Sequence, residues 1–290
     1  MADWVIDQYG GVQGNNGIYY HTSSLANSAG DNSYRYAGAN PNNYVCFGST
    51  ASACPSDNLY RIIGVFDGEV KLIKWDYANS DLLGVNEAYF NASYSAGSFS
   101  GYNGNHISIN RYHWTSNSNY NNIWSGSILN TINLNNTFLN SLGNMWNDMI
   151  KIHAWIVGGN THLNISTSVT NAYRNELVNP AELTTYNAKI GLMYVSDYGY
   201  AASSNYWTRA LYDYNYVSVN NWMYMGLSEW TITRRSDTSN YVFDISSSGD
   251  LDYVSIDSYR AYAIRPTFYL NSNVQYVSGT GTSNNPIRIN

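Results

Sequence analysis

A few residues have the types and spacing that catalysis requires, but each fits a structural role better. Glu176 and Glu182 could form the carboxylate pair of a glycoside hydrolase, although two solvated side chains on a helix surface explain them as well. His106 and His113 lie in a Gly/Asn-rich stretch, and no Gly-x-Ser-x-Gly nucleophile motif accompanies them. Arg265 precedes a proline in a predicted central strand, which favours a structural ion pair. The sequence therefore predicts a protein without enzymatic activity.

Two further patterns resemble metal-ligand sets but are incomplete. Asp250 and Asp252 have the alternate spacing of an EF-hand calcium loop, but its glycine and its distal glutamate are missing. A zinc site would need more ligands than two cysteines, and the five histidines are scattered along the chain. We therefore expect neither a metal ion nor another cofactor.

The two cysteines are Cys46 and Cys54, in the run CFGSTASACP. A pair with a short polar spacer, in a chain without other thiols, predicts a local disulfide; two buried free thiols are the alternative. A disulfide requires an oxidising compartment, so we expect an extracellular or cell-surface protein, with a virion as the alternative location. The first residues, MADWVIDQYGG, lack the basic and apolar regions of a signal peptide.

The stretch from Glu229 to Leu270 interleaves two sets of residues. Apolar side chains such as Trp230, Ile232 and Phe268 recur with the period of a strand that buries one face. Between them lie tyrosines and small polar groups, the mixture of binding loops, where tyrosine gives rigid contact area and small groups give adaptable hydrogen bonds. We expect one solvent-facing ligand-binding patch, completed by three tyrosines of the preceding loop. Its predicted members are Tyr206, Tyr212, Tyr214, Val242, Asp244, Ser246, Asp252, Tyr253, Ser255, Asp257, Tyr259 and Tyr262.

Composition limits the possible partners. Charged residues make up only 12% of the 290 residues, and the net charge is −6 with a pI near 5.2. Nucleic acids and anionic membranes require a basic face, so we expect neither as a partner. No stretch approaches the roughly 20 apolar residues of a membrane span, so no membrane insertion is expected. The remaining partners are a protein or a glycan on another cell or on a host surface.

The chain divides into a loop-rich start and one large domain. Residues 1–58 contain Gly/Asn-rich runs and predict an N-terminal wrap packed on the main domain, residues 59–290. The main domain opens with a predicted hairpin, in which YRIIGVF (60–66) and EVKLIKW (69–75) flank the turn signal Asp67-Gly68.

The middle of the chain predicts helices and strands in alternation. An apolar stripe predicts helix over 124–142 with Gly143 as its stop, and a second short helix is expected over 171–180. Strands are expected over 151–159 and 188–201. Strands at both ends with helices between them describe an α+β domain. One core is predicted to contain Ile128, Ile132, Trp155, Ile190, Leu192, Trp230, Ile232, Ile264 and Phe268.

Long motifs throughout the chain resemble a group of surface and pilin-like proteins from low-GC gut bacteria. The motifs are SYRYAGANPNNYVCFG, the hairpin above, HAWIVGGN, IGLMYVSDYGYA, and IRPTFYLNSNVQYVSGTGTSNNPIRI. From WMYMGLSEWTI to IRPTFYL, the layout is similar to the C-type-lectin-like variable proteins of diversity-generating retroelements. In those proteins a C-terminal segment is mutated at template adenines while the fold is kept. The resemblance implies a C-type-lectin-like fold for residues 59–290.

Residue chemistry in the last quarter agrees with diversification. Asparagine codons randomised at their adenines cannot yield Lys, Glu, Gln, Met or Trp, and none of these five occurs between Ser236 and Arg260. A Tyr/Ser-rich loop region that arose by drift is the alternative. Trp146-Asn147-Asp148 matches the calcium-ligand tripeptide of sugar-binding C-type lectins, but the Pro-containing loop that precedes it there is absent, so Trp146 is expected to pack behind a helix.

The sequence thus predicts a non-enzymatic, surface-displayed ligand-binding protein. It would be adhesin-like and could be carried on a pilus, with a C-terminal face rich in Tyr, Ser and Asp that a retroelement diversifies. Two alternatives stay open: a phage receptor-binding protein of the same fold, and a secreted glycan-active enzyme.

Overall fold

The computed structural model describes residues 1–95, 102–115, 120–257 and 260–290, and it has a mixed α+β architecture with mostly antiparallel sheets. The strands are, in chain order, β1 (Ile18–Tyr20), β2 (Tyr34–Tyr36), β3 (Tyr44–Cys46), β4 (Leu59–Phe66), β5 (Glu69–Lys74), β6 (Tyr89–Ser95), β7 (Ser108–Tyr112), β8 (His153–Ile156), β9 (Thr185–Ala188), β10 (Ile190–Gly191), β11 (Glu229–Arg234), β12 (Tyr241–Ile245), β13 (Leu251–Ser255), β14 (Thr267–Tyr269), β15 (Tyr276–Ser278) and β16 (Arg288–Ile289).

The central sheet has seven strands in the order β1-β2-β4-β5-β14-β10, with β3 also paired to β4. A second sheet has three strands in the order β11-β12-β13, and three two-stranded ribbons pair β6 with β7, β8 with β9, and β15 with β16. The closing strand β14 lies beside β5, so residues from both ends of the chain meet in the central sheet.

The predicted hairpin is confirmed as β4 and β5, two long strands of the central sheet. Its turn residues, Asp67 and Gly68, have φ values of 49° and 79°. Positive φ at both central positions is the type I′ geometry, whose twist matches that of the flanking strands. Gly64 has no side chain because a Cβ there would lie 2.3 Å from the Tyr34 carbonyl oxygen of β2. The positive φ values of Asp67 and Gly68 thus explain why the chain turns back at this point and pairs β4 with β5.

The helices are short, and two helical stretches have the wider π winding. The α-helices are α1 (Ala2–Tyr9), α2 (Ser80–Leu83), α3 (Leu139–Ser141), α4 (Asn144–Asn147), α5 (His162–Ser166), α6 (Val169–Tyr173) and α7 (Val195–Ala201), and the π-helical stretches are Leu129–Phe138 and Arg174–Val178. The helix predicted over 124–142 is present, broken into turns, and it stops before Gly143 at φ 73°. The helix predicted over 171–180 corresponds to α6 and the second π-helical stretch.

The π winding changes which face of the first long helix is buried. Leu129, Leu134 and Phe138 are buried, whereas Ile132, predicted to be in the core, is 40% exposed. The apolar stripe was predicted for an α-helix with 3.6 residues per turn. In a π-helix, whose hydrogen bonds join residues five apart, the same residues no longer lie on one face. The prediction for Ile132 is therefore wrong, while Ile128 packs against the core from a half-buried position.

The strand predicted over 188–201 is mostly wrong. Within it, only Ala188 at the end of β9 and Ile190–Gly191 are in strands, and the segment from Val195 forms α7, all of whose residues are buried. An apolar run that is buried on all sides has no periodicity to distinguish helix from strand. The backbone N–H of Tyr194 donates to the Asp197 carboxylate (2.9 Å), a local capping contact that favours the helix.

One contiguous core extends from Val5 near the start of the chain to Ile289 near its end. It contains Trp155, Ile190, Leu192, Trp230, Ile232, Ile264 and Phe268, as predicted. The segment 1–58 packs on this core and is more ordered than a loop-rich wrap, since it contributes α1 and three strands of the central sheet.

Candidate binding face

The hairpin of β12 and β13 carries the centre of the predicted binding patch. β12 is the middle strand of its sheet, and β13 is the outer one. Tyr253 lies opposite Phe243 on one face of the hairpin, and Asp252 lies opposite Asp244 on the other. Because side chains alternate between faces along a strand, neighbouring positions of this segment have opposite environments.

Around Tyr253 the structure assembles a compact group of aromatic and charged side chains, which we call the Tyr253 cluster: His162, Arg235, Asp237, Tyr241 and Tyr253. The Arg235 guanidinium carbon lies 4.2 Å from the Tyr253 ring centroid, and the His162 ring lies 4.7 Å from it. Arg235 also donates two hydrogen bonds to Asp237, at 3.0 and 2.8 Å. This geometry combines cation–π stacking with a bidentate ion pair, and it holds the tyrosine ring at the surface.

The charges of the Tyr253 cluster balance each other. The hydrogen bonds between Arg235 and Asp237 raise the pKa of the arginine and lower the pKa of the aspartate, so both are ionised at neutral pH. Partial burial, with the charge of Arg235, lowers the pKa of His162, so its imidazole is neutral. The cluster thus presents aromatic rings and one neutralised ion pair, a surface suited to a protein or glycan rather than to a polyanion.

Several other predicted residues are at least partly exposed, but they lie on different elements. Asp252 and Ser255 flank Tyr253 on β13, and Ser246 lies in the turn between the two strands. Tyr212 is 51% exposed on the helical turn Leu211–Tyr216, which contacts β13. Tyr212 therefore lies on an element next to the hairpin.

The remaining half-exposed tyrosines have internal partners. The Tyr206 hydroxyl accepts a hydrogen bond from the Asn220 amide at 3.3 Å. Tyr262 lies over the buried Trp230 ring at 4.5 Å, and Asp257 is half-buried. Tyr259 was also predicted as a ligand-binding residue, but it lies outside the described residues.

Three predicted patch residues do not face solvent. Val242 is fully buried, since it lies on the middle strand and points toward the core. Tyr214 is fully buried and donates its hydroxyl to the carbonyl oxygens of Gly199 and Tyr206. Asp244 is 2% exposed, and one of its carboxylate oxygens has no hydrogen-bond partner. Burial, with the nearby carboxylates of Asp252 and Asp250, raises the pKa of Asp244 well above its ordinary value.

Four members of the Tyr253 cluster were not predicted as site residues. His162 begins α5, and Tyr241 begins β12. Arg235 and Asp237 precede the hairpin and meet Tyr253 only through its folding. The strand period of two could have pointed to Tyr241 as a site residue, since in a hairpin it places Tyr241, Phe243 and Tyr253 on one face.

The two glutamates considered for catalysis differ in environment. Glu176 is 1% exposed, so its predicted solvation is wrong: it accepts hydrogen bonds from the backbone N–H groups of Val195 and Ser196 and from the Thr233 hydroxyl. Burial raises its pKa to about 7. Glu182 is exposed and pairs with Arg234 at 2.7 Å. Glu176 thus joins α7 to β11, and the pair gains no support as a general acid and base.

Buried charges also lie below a cavity of about 280 Å³ beside β5. Lys71 forms an ion pair with Asp197 at 2.6 Å, and its ammonium lies 4.5 Å from the Tyr194 ring centroid. Arg35 pairs with Asp31 at 2.5 Å. These cations are neutralised within the fold, so we assign them a structural role.

Three structural predictions are confirmed. Cys46 and Cys54 form a disulfide. Arg265 pairs with Glu229 through two hydrogen bonds inside the core. Trp146 is buried and packs against Phe47, with the ring centroids 5.0 Å apart.

Comparison with known proteins identifies no relative. No protein-family model, no curated protein and no solved structure matches this chain. Within the described part of the chain, no three His, Cys, Asp or Glu side chains are placed to hold a metal ion. The helices of that same part are all too short or too polar to cross a membrane. The resemblance to the C-type-lectin-like variable proteins therefore stays a prediction.

Proposed function

We propose that this protein is a non-enzymatic, surface-displayed ligand-binding protein of the adhesin type, and that the face of the β12–β13 hairpin that carries Tyr253 contacts the partner. The Tyr253 cluster carries the proposal, because it combines a half-buried surface tyrosine with stacked aromatic and charged neighbours. Such anchors typically dominate binding energy, while small polar neighbours adjust specificity.

The disulfide supports a location outside the cytoplasm. Cys46 lies on β3 of the central sheet, and its bond to Cys54, eight positions further along the chain, closes a short loop. Structural disulfides persist in oxidising compartments and are rare where thiols are kept reduced. We therefore place the protein at the cell surface, where it could be carried on a pilus.

We further propose that a retroelement diversifies the face within a C-type-lectin-like domain. The support is the residue chemistry of Ser236–Arg260 together with the partial exposure of Tyr253 and Ser255, which share one face of the outer strand. Variation at such positions leaves the core unchanged, whereas variation at the buried Val242 or Asp244 would disturb it. Sibling copies should therefore differ at the exposed positions. A reverse transcriptase gene and a near-identical template repeat beside the coding region would be the genetic signature.

The binding test uses labelled protein on a glycan array and on panels of cultured bacterial and host cells. For any target found, Tyr253→Ala should weaken binding by about 1–3 kcal/mol while thermal unfolding stays nearly unchanged. Tyr216→Ala removes a more exposed tyrosine that is not a member of the cluster and serves as the matched control. If Tyr253→Ala and Tyr216→Ala bind the target equally well, Tyr253 is not part of the binding face. If only Tyr253→Ala loses the folded state, Tyr253 is a structural residue, which also contradicts the proposal.

A further inference from the structure

A second cavity, of about 380 Å³, lies away from the Tyr253 cluster and shares no residue with it. Its walls carry the aromatic side chains of Tyr44, Trp75, Trp222 and Tyr224. Arg61, on β4, also lines it. The volume is in the range of small-molecule sites, and aromatic walls with a few polar groups are typical of them.

The side chain of Arg61 is almost fully buried, at 4% exposure. Its guanidinium carbon lies 4.3 Å from the Tyr44 ring centroid and 4.6 Å from that of Trp222, so the two rings enclose it. The position of the charge is thus fixed by packing as well as by hydrogen bonds.

Every hydrogen-bond acceptor of Arg61 is an uncharged group. Nε donates to the Asn43 amide oxygen at 2.7 Å, and Nη2 donates to the Pro41 carbonyl at 2.9 Å and to the Asn40 amide oxygen at 3.4 Å. Nη1 makes one hydrogen bond, to the Trp222 carbonyl at 3.4 Å. A guanidinium has five N–H donors, so one N–H of Nη1 is left without an acceptor among the described residues.

The absence of a carboxylate distinguishes Arg61 from the other buried arginines. Arg35, Arg234 and Arg265 each lie within 2.7 Å of an aspartate or glutamate oxygen. No described carboxylate lies within ion-pair distance of Arg61, and burial, with the nearby charge of Arg265, lowers its pKa to about 10. A buried charge without a counter-ion is costly, so its retention at the wall of a cavity indicates that the counter-ion comes from outside the chain.

We infer that this cavity binds a sugar residue that carries a carboxylate or sulfate group, with the acidic group paired to Arg61 and the sugar ring packed on Trp75 and Tyr224. The guanidinium fork matches the planar geometry of a carboxylate and also takes other oxyanions. No aspartate or glutamate among the described residues lines the cavity, so a free amino acid would leave its ammonium group unpaired. Sugar hydroxyls, in contrast, find hydrogen-bonding partners in the exposed amides of Asn40 and Asn103.

Calorimetry and ligand-observed saturation-transfer NMR on the full chain test the inference, with D-glucuronate, D-glucose and sodium sulfate as probes at matched ionic strength. Glucuronate should bind saturably, and glucose should bind about tenfold to a hundredfold more weakly, since it lacks the charged contact. Glucuronate bound no better than glucose would overturn the role of Arg61. Sulfate bound as tightly as glucuronate would show a simple anion site and overturn the sugar assignment, and absence of glucuronate binding would overturn both.

Variants locate the site. Arg61→Gln should abolish the preference for glucuronate over glucose, whereas Arg209→Gln, an exposed arginine outside the cavity, should keep it. If Arg61→Gln unfolds, Trp75→Ala leaves the guanidinium in place and should still weaken glucuronate binding. Unchanged binding in Trp75→Ala would overturn the stacking assignment. Tyr253→Ala should bind glucuronate normally, so this inference and the proposed binding face can fail independently.

Discussion

The two hairpins β4–β5 and β12–β13 differ mainly in what covers them. The first lies inside the central sheet between β2, β3 and β14, and even Arg61, Lys71 and Lys74 on it are buried. The second ends in the outer strand β13, whose middle residues are partly or fully exposed. A strand between neighbours satisfies most of its polar groups internally, with the cavity-lining Arg61 as an exception here, whereas an outer strand can offer its side chains to a partner.

The ion pairs beside the two hairpins show the same difference. Lys71 and Asp197 are each 1% exposed at the side chain, and aromatic rings surround the ammonium. Arg235 and Asp237 meet at the surface, with the aspartate 37% exposed. A buried pair depends on its partner for stability, while water screens a surface pair. The first hairpin therefore contributes buried pairs to the fold, whereas the surface positions of β13 should tolerate substitution better than the buried positions of β12.

Truncation of a core side chain beside the first hairpin should have the largest effect. Phe268, opposite Leu72 of β5, is fully buried, so Phe268→Ala should lower the free energy of unfolding by about 3–5 kcal/mol. Tyr253→Ala on the second hairpin should cost less than about 1 kcal/mol. Chemical denaturation of both variants measures the difference, and similar losses would remove the distinction between the hairpins.

Removal of one member of each ion pair should show a second difference in stability between the two hairpins. Lys71→Met leaves the Asp197 carboxylate buried without its partner and should cost about 3–5 kcal/mol. Arg235→Gln should cost about 1 kcal/mol or less, since the surface pair is screened. Urea denaturation at low and high salt is the measurement. A large, salt-insensitive loss in Arg235→Gln would show that the surface pair is structural too.

The buried Glu176 predicts a pH dependence of stability. Its folded-state pKa of about 7 lies above the ordinary value of 4.5, so between these values the folded state holds a proton that the unfolded chain has released. Stability should therefore fall as the pH rises through this window, by about 3 kcal/mol in total. Glu176→Gln should flatten this slope, whereas Glu182→Gln at the surface should keep it. An unchanged slope in Glu176→Gln would exclude this group as the cause.

Reduction of the disulfide should have a smaller effect than Phe268→Ala or Lys71→Met. The closed loop is short, so opening it should lower stability by about 2–3 kcal/mol. Thermal unfolding with and without reductant measures this change, and intact mass without reductant should show the protein two hydrogens lighter than the dithiol form. Two freely alkylated thiols in the native protein would contradict the bond and weaken the extracellular assignment.

Local signals in the sequence predicted the parts of the fold that depend on few residues. Asp67-Gly68 specified a hairpin because its turn needs positive φ at two positions, and Gly143 stopped a helix for the same reason. The spacing of Cys46 and Cys54 specified their bond. The apolar period around Trp230 likewise placed it in the core.

The sequence predicted only in part which residues belong to the binding face. The period of two separated Phe243 from its neighbours, but it could not show that β12 is a middle strand, covered on both faces. Val242 and Asp244 were therefore assigned to solvent although they are buried. On the outer strand, Asp252 is exposed, whereas Tyr253 is half-buried and packs against the core.

The sequence by itself determined the turns, the disulfide, the α+β class and most of the core, since each depends on neighbouring residues or on a simple period. Tertiary packing, with the local capping contact of Asp197, decided that 195–201 is a helix, because a segment buried on all sides carries no periodic signal. It also decided the surroundings of Glu176, Arg61 and Tyr253, whose partners come from distant parts of the chain. Burial and pairing are properties of assembled elements, so only the packed fold determines which polar side chains support the structure and which remain available to a ligand.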